Sequence, residues 1–181
     1  MIYDAIIIGG GPSGATAAAE LALQNRKVAF IDREGRIKPC GGAVPPRLIR
    51  DFNIPDSQIV AKIKTARMIS PTSRMVDIPI ENGYVGMVER ENFDEFLRNR
   101  ASNKGAKRFT GTFLRIERTG ENDLVSVFFK DKTTREEIEL KSRFIIGADG
   151  ARSDVARSEM PDGKSIPYVI AYHEIIEAPK G

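Results

Sequence analysis

The sequence holds one cysteine, Cys40, one histidine, His173, and no tryptophan. A single thiol cannot close an intrachain disulfide, and one thiol with one imidazole cannot supply the ligands of a zinc site. Disulfide scaffolds and His/Cys metal centres are excluded, and no metal ligand set is assigned. Dithiol redox chemistry fails on the same ground, because it needs a second cysteine beside the first. Neither sign of charge is in excess: 28 Lys and Arg against 25 Asp and Glu leave +3 over 181 residues. That balance argues against a dedicated polyanion binder, so no nucleic-acid partner is expected. Long apolar runs are also missing. None approaches the roughly 18 residues that would cross a bilayer, and the N-terminal run stops at Gly9-Gly10-Gly11. Met1-Ile2-Tyr3-Asp4 has no basic stretch before its apolar run and no cleavage pattern after it, which reads as fold rather than signal peptide. A cytoplasmic location is expected.

What is present is strongly patterned. Ile2 and Ala5 to Ile8 form an apolar run of the kind buried on both faces of a parallel sheet. From Ser13 to Gln24, Ala15, Ala18, Ala19, Ala22 and Leu23 recur at helical spacing, and Val28 to Ile31 make a second buried strand. This is a β-α-β unit, whose crossover is right-handed. Pro45-Pro46 opens a short helix through Phe52, and Thr65 to Ser70 with Met75 to Ile80 read as a hairpin around Pro71-Thr72-Ser73-Arg74. Tyr84 to Val88 is strand-like. Phe93, Phe96, Leu97 and Ala101 predict a helix over Asn92 to Lys104, capped by Gly105.

Three β-rich runs between Lys107 and Leu140, turning at Thr119 to Asp123 and Asp131 to Thr134, predict an antiparallel meander. Phe144, Ile145 and Ile146 return to an apolar strand of the first sheet. The fold class is α/β: a Rossmann-type dinucleotide-binding domain over 1–165, with antiparallel β insertions near 63–82 and 113–140. Tyr168 to Ile176 is read as a strand. His173, within it, lacks a partner pattern and is assigned a structural or surface role.

Gly9-x-Gly11-x-x-Gly14 follows the first strand and opens the first helix. The first glycine permits the tight turn, the second lets a pyrophosphate approach the backbone, and the third lets helix and strand pack closely. The helix N-terminus supplies free N–H groups and positive dipole to the phosphates. Asp32 ends the second strand, where a carboxylate accepts hydrogen bonds from a ribose diol and repels a 2′-phosphate. The bound nucleotide is therefore expected to be FAD or NAD rather than NADP.

Phe144-Ile145-Ile146-Gly147-Ala148-Asp149-Gly150-Ala151-Arg152-Ser153 resembles the second fingerprint of flavoprotein hydroxylases and their relatives, which favours FAD. Arg90-Glu91-Asn92-Phe93-Asp94 through Leu97 resembles the segment of the same superfamily whose arginine lies beside FAD, and a guanidinium fork suits a pyrophosphate. With Pro39-Cys40-Gly41-Gly42-Ala43-Val44-Pro45 the likeness narrows. The chain resembles the geranylgeranyl reductase family, nearest to the bacterial type of bacteriochlorophyll synthesis, from Arg36 through Asp51 and again at Ala66 to Thr72 and Gly86-Met87-Val88.

The resemblance implies reduction of the isolated double bonds of a geranylgeranyl group to phytyl, on a chlorophyll-type pigment or on geranylgeranyl diphosphate, with NADPH as electron donor. It implies an FAD site formed by Gly9, Gly11, Ser13, Gly14, Ala15, Asp32, Arg33, Cys40, Gly41, Gly42, Arg90, Asp149 and Gly150, and names no catalytic residue. It allows for peripheral association with a photosynthetic membrane, where Arg47, Arg50, Lys62, Lys64 and Arg67 could meet anionic lipid or a diphosphate rather than only solvent. Family members continue into a substrate domain, so 166–181 is read as the first strand of that domain and the chain as an N-terminal portion. Two other functions stay open: a flavin monooxygenase, which shares both fingerprints, and a non-catalytic FAD-binding module.

Overall fold

The computed structural model describes residues 1–34, 40–118, 120, 123–172 and 174. The chain divides into two compact units, Met1–Arg36 with Asp94–Ile170, and Ile37–Phe93 with Ala171–Gly181.

The first unit is built on β1 (Ile2–Ile8), α1 (Pro12–Leu23) and β2 (Val28–Asp32). Side chains alternate across a strand, so Ile6 and Ile8 of β1 join Ala29 and Ile31 of β2 on one face, while Ile7 joins Val28 and Phe30 on the other. Alanines at helical spacing give α1 a smooth face, and Ala18, Ala19 and Ala22 pack on the second of these clusters. Pro12 occupies the first turn, where its missing N–H costs no helical hydrogen bond. α3 (Arg90–Asn103) runs into this unit from Asp94, and Ala101 joins the same cluster. It ends at Gly105, whose φ of 104° an L side chain rarely adopts.

The expected meander is present as β8 (Lys107–Arg118), β9 (Val125–Asp131) and β10 (Glu137–Gly147). Its outer strands are long enough to serve two partners. Ala29 to Asp32 of β2 pair in parallel with Lys107 to Thr110, and the remainder of β8 pairs antiparallel with β9. Likewise Glu137 to Ser142 pair antiparallel with β9, while Lys141 to Gly147 run parallel to β1. The result is a closed ring of strands, β1-β10-β9-β8-β2. The separate apolar strand expected at Phe144 to Ile146 is thus the end of an 11-residue strand. Phe144 itself is 70% exposed.

The second unit holds β3 (Ala43–Val44), α2 (Pro46–Asp51), a 3₁₀ turn at Asp56–Gln58, β4 (Ala61–Ile63), β5 (Thr65–Ile69), β6 (Met75–Pro79) and β7 (Val85–Met87). One sheet has the order β3-β7-β4, and β5 and β6 form the expected hairpin. Arg67 and Asp77 stand directly opposite each other there and share two hydrogen bonds of 2.7 and 2.8 Å.

Residues 168–172 carry no strand, and Val169 and Ile170 are 93 and 90% exposed. A strand needs a hydrogen-bonded neighbour, and no described segment pairs with these residues. His173 lies outside the described residues.

Candidate functional site

In the first unit, the carboxyl ends of β1, β2 and β10 meet the start of α1. Gly9 has φ 111°, and a Cβ on it would stand 2.3 Å from the Ala148 carbonyl oxygen and 2.9 Å from Asp149 Cα. A Cβ on Gly14 would stand 1.8 Å from the Gly9 carbonyl oxygen. The first and third glycines are therefore demanded by the fold: one admits the end of β10, the other seats the helix on the turn. Gly11 differs. Its φ of −72° suits any residue, so the absence of a side chain there is not explained by backbone conformation.

Gly11 is also the N-cap of α1, without a side-chain cap and without an acidic residue in the first turn. The helix presents an unneutralised positive end, fit for a pyrophosphate. Ser13 is exposed at this end. Ala15 is fully buried, and its N–H is donated to the Gly11 carbonyl at 2.9 Å, so it serves helix packing rather than offering a free donor.

Asp32 stands beside this turn. A Cβ on Gly10 would lie 2.5 Å from Asp32 Cβ and 2.6 Å from its Cγ, so the middle glycine makes room for the acid. Asp32 Oδ2 is buried and accepts no hydrogen bond among the described residues, yet it lies 3.4 Å from Arg98 Nε and 3.9 Å from Arg108 Nη2. Glu95 completes the cluster, receiving 2.6 and 3.1 Å hydrogen bonds from Arg108 and one of 2.9 Å from Arg98. The hydrogen bonds from Arg108 hold the Glu95 carboxyl below its ordinary range, against the burial that would raise it. Arg33, next in sequence, is exposed.

Asp149 lies behind the turn with its carboxylate already committed. It accepts from Ser153 Oγ at 2.5 Å and from the backbone N–H of Asp154 and Val155 at 2.6 and 3.3 Å. Ser153 Oγ in turn accepts from Ala156 N at 2.8 Å. Together they cap α4 (Asp154–Glu159), and Gly150, at φ 93°, lets the chain turn between them. The second fingerprint is thus a capping device whose backbone abuts Gly9.

The remaining candidates belong to the second unit. Gly42 has φ 74°, and a Cβ on it would stand 2.0 Å from the Val88 carbonyl oxygen, so the fold requires this glycine. Gly41 is different, because a Cβ there would meet nothing within 4 Å among the described residues. Cys40 is exposed, and Arg90 opens α3, half-buried.

Gly10, Glu95, Arg98 and Arg108 were absent from the sequence-based site. Gly10 is a variable position of the glycine pattern, and Arg108 reaches Asp32 only through the register that sets it beside Phe30. Glu95 and Arg98 are three apart on a helix, a spacing too common to single them out.

The model of the FAD binding domain matches residues 52–162, and that of an NAD(P)-binding Rossmann-like domain matches residues 7–51. The chain is 62% identical over 179 residues to the geranylgeranyl diphosphate reductase of Rhodobacter capsulatus, covering 99% of this chain and 45% of that protein. It is 38% identical over 185 residues to the chloroplastic geranylgeranyl diphosphate reductase of Arabidopsis thaliana, covering 96% of this chain and 39% of the relative. The chain thus spans less than half the length of these curated relatives. In fold it is similar to a geranylgeranyl bacteriochlorophyll reductase-like protein of Thermoplasma acidophilum, with a TM-score of 0.75 and 24% identity over 94% of this chain and 44% of the other. Since the matched FAD model covers more than half of the residues, the chain belongs to the FAD binding domain family.

Proposed function

We propose that this chain is the dinucleotide-binding part of an FAD-dependent geranylgeranyl reductase, which converts the geranylgeranyl group of a chlorophyll-type pigment or of geranylgeranyl diphosphate to phytyl with NADPH. The observation that carries this reading is the 62% identity to a geranylgeranyl diphosphate reductase across 99% of the chain. When bound, FAD supplies hydride transfer, which no side chain can provide.

The chain's own residues bind and orient. The uncapped N-terminus of α1 takes the pyrophosphate, and Asp32 takes the adenosine ribose, with Arg33 and Ser13 at its exposed edge. Gly41 leaves open space where backbone can pass close to a ligand, and the Arg90 guanidinium suits phosphate oxygens. Cys40 and Gly42 flank that approach. Peripheral contact with a photosynthetic membrane belongs to the same reading. Among the described residues no helix is long and apolar enough to cross a bilayer.

The test is a steady-state assay of the intact polypeptide that carries this chain, supplied with FAD, NADPH and either geranylgeranyl substrate. Phytyl product formed with NADPH oxidation and without stoichiometric oxygen uptake supports the reading. Substrate-dependent oxygen consumption with a hydroxylated product assigns a monooxygenase instead. The 181-residue chain alone is expected to give no phytyl product.

A further inference from the structure

Four charged side chains meet behind the ribose end of the glycine turn: Asp32, Glu95, Arg98 and Arg108. Their formal charges cancel. Asp32, Arg98 and Arg108 are only 14, 12 and 18% exposed along their side chains. A carboxylate this sheltered needs an opposing charge, and two guanidinium groups lie within 4 Å of Asp32 Oδ2. Among the described residues no hydrogen bond anchors that oxygen.

Arg98 has a second attachment. Its Nη1 donates to the Gly10 carbonyl at 3.2 Å, so one guanidinium holds both the backbone of the glycine turn and the neighbourhood of the acid. Glu95 fixes that guanidinium from the preceding helical turn, and Arg108 fixes Glu95 from β8. A planar fork with several donors can span these groups at once, whereas an ammonium cannot.

We infer that Arg98 is a positioning residue of the dinucleotide site, setting the distance between the Gly10 turn and the Asp32 carboxylate so that the acid is aimed at the ribose hydroxyls. The inference rests on the proposed reading of Asp32 as the ribose acceptor. Removing Arg98 would leave Asp32 present but unaimed, and discrimination at the ribose would weaken more than phosphate binding does.

ADP and 2′-deoxy-ADP differ by one ribose hydroxyl and share the phosphates, so the ratio of their affinities isolates this effect. Both are titrated into the 181-residue chain and followed by amide chemical shifts. The native chain is expected to prefer ADP by about tenfold, the loss of one charge-assisted hydrogen bond. In Arg98→Gln the preference falls below about threefold while ADP still binds. Arg98→Lys keeps the charge without the fork and serves should the first variant fail to fold; its preference is also expected to fall by at least half. An unchanged preference in a folded Arg98 variant overturns the positioning role. Asp32→Asn separates the two ideas. If it keeps the full preference, or if the native chain has none, the ribose assignment of Asp32 fails; if it loses the preference while the Arg98 variants retain it, only the role of Arg98 falls.

Discussion

Gly14 sits so close to Gly9 that a Cβ on the first would overlap the carbonyl oxygen of the second, at 1.8 Å. The obstacle is backbone, which cannot swing aside as a flexible side-chain end can. Gly14→Ala must therefore lift α1 from the turn or distort β1, at a cost of about 1–3 kcal/mol for overpacking. Gly11→Val meets no conformational barrier at φ −72°, yet it puts a branched side chain at the helix end that faces the pyrophosphate. Thermal unfolding should show a large fall in Tm for Gly14→Ala and a smaller one for Gly11→Val. FAD binding should be lost in both. A Gly11→Val protein that binds FAD normally would remove the pyrophosphate from this turn.

Asp149 carries three hydrogen bonds at the start of α4, one from Ser153 Oγ and two from backbone N–H groups. Asp149→Ala leaves those donors without the acceptor and should weaken the cap by about 0.5–2 kcal/mol. Amide hydrogen exchange at Asp154, Val155 and Ala156 should then accelerate about two- to thirtyfold, with β1 and β2 unaffected. Unchanged protection at these amides would mean that the fingerprint acid does not hold the helix.

Glu95 has its carboxyl lowered from the ordinary 4.5, chiefly by hydrogen bonds from Arg108. A lowered folded value means that the unfolded chain takes up the proton first as pH falls. The contribution of Glu95 is therefore complete above about pH 4.5, the unfolded value, and is lost as pH drops through the lower folded value. Glu95→Gln should lower Tm near neutral pH and flatten its decline below pH 4.5. Parallel Tm profiles for the native and variant chains across that range would show that the carboxylate does not contribute in this way.

Much of this fold was legible because its elements are locally consistent. Ala15, Ala18, Ala19 and Ala22 announce one face of α1, and alternating apolar residues announce the two faces of β1 and β2. Gly9, Gly11, Gly14 and Asp32 could be read because their spacing follows a strand, a turn and a helix in order. The double pairing of β8 and β10 was not legible. It depends on which strands lie beside each half of a long strand, and apolar pattern does not encode that choice. The Arg98 and Arg108 cluster was hidden for the same reason, since only the assembled sheet and helix bring positions 32, 98 and 108 together. Tyr168 to Ile170 have β-forming composition, and no described strand pairs with them.

On the proposed reading, Asp32 at the end of β2 binds the adenosine ribose of FAD. Asp32→Ala removes one or two charge-assisted hydrogen bonds to the ribose, about 1.5–3 kcal/mol each. Titration calorimetry of FAD into the native and Asp32→Ala forms of the intact polypeptide measures this directly. At least a tenfold rise in Kd is expected for the variant, roughly 1.4 kcal/mol or more; equal affinity in the two proteins would show that Asp32 does not bind the ribose.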